Sequence, residues 1–492
     1  MPYFIELNNS GNIINFEINY FSPNINDIAT ASRISALQSD GKILVGGSFQ
    51  NYYNQIGKSR LIRLNADGTE DTAFSANAVV NGTTPMFSGV IISIAIQSDG
   101  KILIGGDFTL YNGQAGKSYL IRLNADGTED TTFSANAVVN GVTPRFTANV
   151  NAITIQPDGK ILVGGNFTVY SSQAGKNRLI RLNSDGTEDT TFSTNAVVNG
   201  TTARFSSNIN AIVVQSDNKI VIGGNFTNYN AQTGKDRLIR LNSDGTEDTT
   251  FSTNAVVNGT TARFSSSLST LALQSDGKIL VGGAFQNYSA STGKSRLIRL
   301  NSDGTEDTTF STNAVVSGTT AKFSNTVQSV AVQSDGKIVV GGDFINYNAQ
   351  TGKSYFIRFF SNGTEDTAFS NVVVVNGTNP RFSAGVRSVV VKSSSEFLIG
   401  GAFSNYSTYQ NLNSFFMLLV VQTIRAQIGK LQAVPTSTGF SFSTPTVLGP
   451  EVNYETGVTL SFNSDGTIKY SSTTLNNPPE AIDLIKIDKK PY

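Results

Sequence analysis

Residues 38–74 read QSDGKILVGGSFQNYYNQIGKSRLIRLNADGTEDTAF, and the chain is organised around seven copies of this stretch. Its glycine pair begins at Gly46, Gly105, Gly164, Gly223, Gly282, Gly341 and Gly400, a constant step of 59 residues without insertion or deletion. Self-similarity at one fixed period sets the architecture before any local assignment. Residues 34–38 (ISALQ) read as a first strand, and Asp40-Gly41 as a two-residue turn with positive φ values. KILVGG follows as a second strand, aliphatic on both faces as a strand covered on both sides must be. Its glycines suit a bulge or a close approach of neighbouring backbone. SRLIRLN is a third strand, a second turn falls at residues 66–69, and the short polar TEDTAF reads as an outer edge strand. Four strands per unit with no helical periodicity describe a propeller blade.

The ends of the chain favour a closed ring over a linear stack. Residues 4–16 (FIELNNSGNIINF) line up with LIRLN-ADG-TEDTAF, so the chain begins in mid-repeat. The seventh unit has strand-like residues 386–392, 397–401 and 415–419, but no DGTEDT after them. Half a repeat at the start and a deficient one at the end predict a seven-bladed β-propeller over residues 1–422, its termini sharing a blade. Residues 423–492 lose the register and hold six of the twelve prolines. They read as a small C-terminal β module with a hairpin at Asp465-Gly466, and residues 481–488 as an edge strand open to pairing with another chain.

The pattern DGKILVGGxF followed by LxRLNxDGTxDxxF resembles the delta-60 repeat, a bacterial and phage β-propeller repeat, over roughly residues 1–422. The resemblance implies a propeller and no assigned activity. The departures gather in the seventh unit: Ser393-Ser394-Ser395 replaces Ser-Asp-Gly, Asn411 stands where other units have glycine, and Met417 replaces an arginine.

Composition removes several chemistries. Cysteine, histidine and tryptophan are absent, which excludes disulfides, thiolate or imidazole metal sites, Ser-His-Asp catalysis and a histidine pH switch. The balance of 36 basic and 36 acidic residues gives no global field toward nucleic acid or an anionic membrane. The N-terminus has no basic start and no apolar core of secretory type, and the longest apolar run, residues 415–421, is too short to span a bilayer.

Two residue sets recur with the repeat. Arg63, Arg122, Arg181, Arg240, Arg299 and Arg358 sit in the apolar third strand, where an unpaired charge is costly. Asp71, Asp130, Asp189, Asp248, Asp307 and Asp366 lie eight residues on, and both members are missing from the seventh unit. The spacing predicts a bidentate, partly buried pair within each blade, fixing third and fourth strands in register. Tyr52, Tyr111, Tyr170, Tyr229, Tyr288, Tyr347 and Tyr406 flank the most varied loop and are read as candidate ligand-facing platforms, with loop anchoring as the plainer role. Phe49, Phe74, Phe87 and their copies are expected in the core. The run Asn65-x-Asp67-Gly68-Thr69-x-Asp71 has oxygens at alternate positions, but it departs from the DxDxDG loop and lacks the later glutamate, so a turn is expected rather than a calcium site.

Residues 178–207 and 237–266 are identical, so a group offered by one blade is offered by most. That suits multivalent binding, whereas catalysis needs one asymmetric constellation. The expectation is a non-enzymatic binding propeller without cofactor, able to self-associate and anchored through residues 423–492 to other structural proteins of a phage virion (tail, fibre or capsid decoration). Its ligand is expected to be a host-surface glycan or protein; a bacterial surface or secreted adhesin is the alternative, and a glycan-processing enzyme the third reading.

Overall fold

Each unit turns on a single glycine. In the computed structural model Gly41 N donates to Gln38 O at 3.0 Å and Gln38 N to Lys42 O at 2.8 Å. Only Gly41 has a positive φ, +83°. The loop is therefore the three residues Ser39-Asp40-Gly41 with glycine in the left-handed position, not the two-residue turn expected. The Asp40 carboxylate explains the difference, since its Oδ1 accepts from Lys42 N at 3.0 Å and holds Asp40 right-handed. In the fourth unit Asn218 takes the glycine's place at φ +63°.

The structure describes residues 32–403 except 51, 53, 54, 200, 201, 259, 260, 377, 394 and 395. It also describes the strands Phe4–Leu7, Ile13–Glu17, Phe415–Leu419, Ala433–Thr436, Gly439–Phe442, Val458–Phe462 and Ile468–Ser472. Two compact units divide the chain, Met1–Ile424 and Arg425–Tyr492.

The first unit's strands Ser32–Leu37, Ile43–Gly47 and Leu61–Leu64 form an antiparallel sheet. Seven such three-stranded sheets recur among the described residues. The middle strand is buried throughout in every copy from Ile43–Gly47 to Ile338–Gly342. Its glycines have separate jobs. A Cβ on Gly46 would stand 2.6 Å from Cγ2 of Ile91, a first-strand residue of the next sheet. A Cβ on Gly106 would strike the Val90 carbonyl of its own sheet. That second approach marks a bulge between Ile91 and Ser93, and all seven sheets carry a bulge at this position.

The hydrophobic core lies between sheets rather than within them. Leu44, Leu61 and Phe74 of the first unit pack with Ile91, Ile104 and Phe108 of the second, and Leu398 of the seventh packs with Ile43, Val45 and Phe49 of the first. First strands contact one another in sequence, and Val386–Val391 contacts Ser32–Leu37. Ser93 Oγ accepts from Ile153 N at 3.0 Å, and Ser329 Oγ from Val389 N at 3.1 Å. The same bond joins seventh to first: Ser388 Oγ accepts from Ser35 N at 3.3 Å.

Two expectations are corrected. TEDTAF is not a fourth strand. Glu70 makes one bridge to Leu64, and the chain then enters the helix Thr72–Ala78, capped by Asp71 Oδ1, which accepts from Phe74 N at 3.1 Å. Aspartate is a strong N-cap, and it competes successfully with a weakly apolar edge strand. The third place in the seventh sheet belongs to Phe415–Leu419, paired with Glu396–Gly401, so the N-terminal segment does not fill it; Phe4–Leu7 pairs with Ile13–Glu17. In the second unit Ala433–Thr436 pairs with Gly439–Phe442, and Val458–Phe462 with Ile468–Ser472 on either side of Asp465-Gly466. Residues 481–488 lie outside the described residues.

Candidate functional site

The recurring arginine works in two directions. Arg63 Nε and Nη2 both reach Asp71 Oδ2, at 3.0 and 2.9 Å. The copies at Arg122–Asp130, Arg181–Asp189, Arg240–Asp248, Arg299–Asp307 and Arg358–Asp366 close to 2.9, 2.9, 2.9, 2.9 and 2.8 Å. Both donors converge on one oxygen because Oδ1 is committed to the helix cap. The guanidinium lies over the Phe74 ring at 3.9 Å. Its remaining arm leaves the unit: Arg63 Nη1 donates to Ala125 O at 2.6 Å, and Arg122 Nη1 to Ser184 O at 2.5 Å. Arg240 and Arg299 reach Ser302 and Ser361 in the same way.

The sequence reading missed a third partner, the lysine of the Asp-Gly-Lys turn. Lys42 Nζ stands 2.7 Å from Asp71 Oδ2, and Lys160 Nζ 2.6 Å from Asp189 Oδ2. Burial acts to raise the Asp71 pKa, but Lys42, the Phe74 amide and Arg63 outweigh it and hold the carboxyl down at about 2. Asp130, Asp189, Asp248 and Asp307 are lowered by the same balance.

The described tyrosines of this set are not presented at the surface. Tyr111, Tyr170, Tyr229, Tyr288 and Tyr347 are buried, as is Tyr52, and Tyr406 lies outside the described residues. The five from Tyr111 to Tyr347 each bridge to a phenylalanine, Tyr111 to Phe87 with ring centroids 5.1 Å apart. Tyr347 donates its hydroxyl to Ala314 O at 3.1 Å. A large ring beside a loop packs where apolar area is available, and here the phenylalanine cluster supplies it. At the Asn65–Asp71 turn, Asp67 Oδ1 accepts from Thr69 N and Oγ1 at 3.0 and 2.7 Å, and Asn65 presents its amide nitrogen to Thr69 Oγ1. Asp67 Oδ1 and Thr69 Oγ1 are thus engaged within the turn.

The variable side chains are elsewhere. The bulge residue of each first strand is Arg33, Ile92, Asn151, Asn210, Ser269, Gln328 and Arg387 in turn. A bulge leaves its residue outside the ladder and re-aims the side chain. From Ile92 to Arg387 these side chains line one cavity of about 690 Å³. Asn151 Nδ2 donates to Ile209 O at 3.2 Å, Asn210 Nδ2 to Leu268 O at 2.9 Å, and Gln328 Nε2 to Asp343 Oδ2 at 2.8 Å. The signal was present in the sequence, as the residue thirteen before each glycine pair's first member, where near-identical copies vary.

Small three-stranded sheets repeated at one period and joined face to face through their cores make this an all-β protein of propeller-type repeats. Residues 38–74, 97–133, 156–192, 215–251, 274–310 and 333–369 match the model of a domain of unknown function, the DUF5122 beta-propeller. No curated protein sequence matches the chain. Among solved structures, the extracellular domain of BT4673 from B. thetaiotaomicron is 14% identical, with 84% of this chain and 40% of that one covered and a TM-score of 0.42. This chain thus spans about two fifths of that protein's length. The WD40 beta propeller domain of Doa1 is 12% identical, with 81% and 95% covered and a TM-score of 0.43. PorZ, a surface component of the type-IX secretion system of Porphyromonas gingivalis, is 12% identical, with 80% and 52% covered and a TM-score of 0.38.

Proposed function

We propose that the seven sheets are the blades of one closed propeller, and that this propeller is a non-enzymatic binding module whose recognition positions are the bulge residues. One contrast carries the reading. The recurring arginines, aspartates and lysines are consumed in bonds within and between repeats, whereas the bulge residues vary among the copies, and from Ile92 to Arg387 they line one cavity. A varied set of side chains on a rigid frame suits recognition. Closure is supported by the Ser388–Ser35 bond, which repeats the bonds made by Ser93 and Ser329. The N-terminal strands Phe4–Leu7 and Ile13–Glu17 then take the outer place beside Phe415–Leu419.

The module is carried in a phage virion, as a tail, fibre or capsid-decorating component held through residues 423–492, and it binds a host-surface glycan or protein. The test has two readouts. Gold-labelled antibody against residues 423–492 should mark virus particles in the native source; label on the cell envelope with bare particles would replace the virion by an adhesin. The purified chain should adhere to host cells and lose adhesion in steps as bulge residues are changed. Turnover abolished by the change of one carboxylate would contradict a binding role.

A further inference from the structure

Among the bulge residues that line the cavity, Arg387 is a cation without a partner. Among the described residues Arg387 makes no hydrogen bond and no ion pair, although it is half-buried and lines the cavity. Its neighbours on one side of the ring are polar and neutral. Gln328, one blade away, has its amide nitrogen tied to Asp343, and its carbonyl oxygen accepts no hydrogen bond among the described residues. Ser269, a further blade on, makes no hydrogen bond among the described residues. Asn210 follows, with its amide nitrogen shared between Leu268 O and Asn225 Oδ1 at 2.9 and 3.1 Å. Asp343 is the carboxylate that bears on this arc, and its Oδ2 is engaged by Gln328 rather than by Arg387. On the other side of Arg387 the same register position, on the neighbouring first strand, is Arg33.

We propose that this arc binds an acidic sugar residue, its carboxylate on Arg387 and its hydroxyls on Ser269, Gln328 and Asn210. The proposal rests on the binding role proposed above and names its ligand class. Guanidinium is suited to carboxylate because two parallel N–H groups meet two oxygens. A half-buried arginine without a counter-ion gains that bond with part of its desolvation already made. Hydroxyls need both donors and acceptors, which neutral amides and serine supply together. The cavity volume, about 690 Å³, lies in the range that holds a small ligand.

The test is a ligand-observed NMR titration of the full chain with sodium D-glucuronate, D-glucose and inorganic phosphate. Glucuronate should bind at least about tenfold more tightly than glucose, as one charge-assisted contact gives. Arg387→Gln should reduce glucuronate to the level of glucose, and Arg387→Lys should restore part of the difference. The unfolding midpoint of Arg387→Gln should match the parent, since Arg387 holds nothing in the fold. Equal glucuronate affinity in the parent and in Arg387→Gln would overturn the proposal, as would no glucuronate binding. Phosphate binding as tight as glucuronate would reduce the site to a bare anion site and overturn the sugar. Host-cell adhesion unchanged by Arg387→Gln would overturn the acidic-sugar site while leaving the binding role intact. Glucuronate bound through Arg387 by a chain that adheres to no host cell would support the site and contradict the host-surface role.

Discussion

Arg63 of the first repeat donates through Nη1 to the main-chain carbonyl of Ala125 in the second, at 2.6 Å. The separation of 62 residues is one period plus three, so each copy can make the same bond to its successor. The pair with Asp71 holds the guanidinium flat and leaves that arm directed outward. A side chain that fixes its own sheet therefore also fixes the next one.

Truncating this arginine should be costly. Arg181→Met removes one partner of a buried pair and leaves Asp189 with Lys160 as its remaining counter-ion. A loss of about 3 kcal/mol is expected, read as a lowered urea midpoint. Arg181→Lys should recover less than half, because an ammonium cannot hold Asp189, the Phe192 face and Ser243 O together. A midpoint unchanged in Arg181→Met would refute the junction.

The aspartates set the acid limit. The folded pKa of Asp71 is about 2, below the unfolded value near 3.9. A depressed folded pKa gives stability that is complete above the unfolded value and is lost as pH falls toward the folded one. Asp130, Asp189, Asp248 and Asp307 shift in the same direction. Stability should therefore be flat from about pH 5 to 8, where a chain without histidine has no titrating side chain of ordinary pKa. It should fall cooperatively between about pH 4 and 2. Circular dichroism across this range checks it, and a midpoint between pH 5 and 7 would contradict it.

The first glycine of the pair predicts unequal tolerance between repeats. A Cβ on Gly164 would lie 2.6 Å from Ile209 Cγ2, whereas one on Gly223 meets Leu268 Cβ at an ordinary 3.4 Å. Isoleucine branches at Cβ and crowds the site; leucine branches one atom later. Gly164→Ala should cost about 1–3 kcal/mol, as overpacking does, and Gly223→Ala clearly less. Similar thermal midpoints for the two variants would overturn this packing.

Burial pushes the phenols of Tyr111, Tyr170, Tyr229, Tyr288 and Tyr347 above the ordinary range. In an alkaline absorbance titration these five of the sixteen tyrosines should ionise only with unfolding. Ionisation of all sixteen in one step near pH 10 would place them at the surface.

What was legible in the sequence followed from the period. The glycine pair announced a bulge and a close approach, and the eight-residue spacing of Arg63 and Asp71 brought the two together. The helix after Asp71 was hidden because a polar segment without alternation fits an edge strand as well as a cap; the aspartate three residues before Phe74 was the clue. The outward bond to Ala125 could be found only by adding the period to the loop. The tyrosines misled because a varied loop suggests recognition, while their burial depends on Phe87 and its copies, which are distant in sequence.

Closure is the claim on which the rest depends, and the absence of cysteine makes it directly measurable. Ser35 Oγ and Ser388 Oγ stand 3.2 Å apart across 353 residues. The double variant Ser35→Cys with Ser388→Cys should form an intramolecular disulfide on mild oxidation, seen as a faster-migrating monomer on non-reducing gels with both thiols protected. Two free, rapidly alkylated thiols, or cross-linking between molecules alone, would show that the first and seventh sheets do not meet.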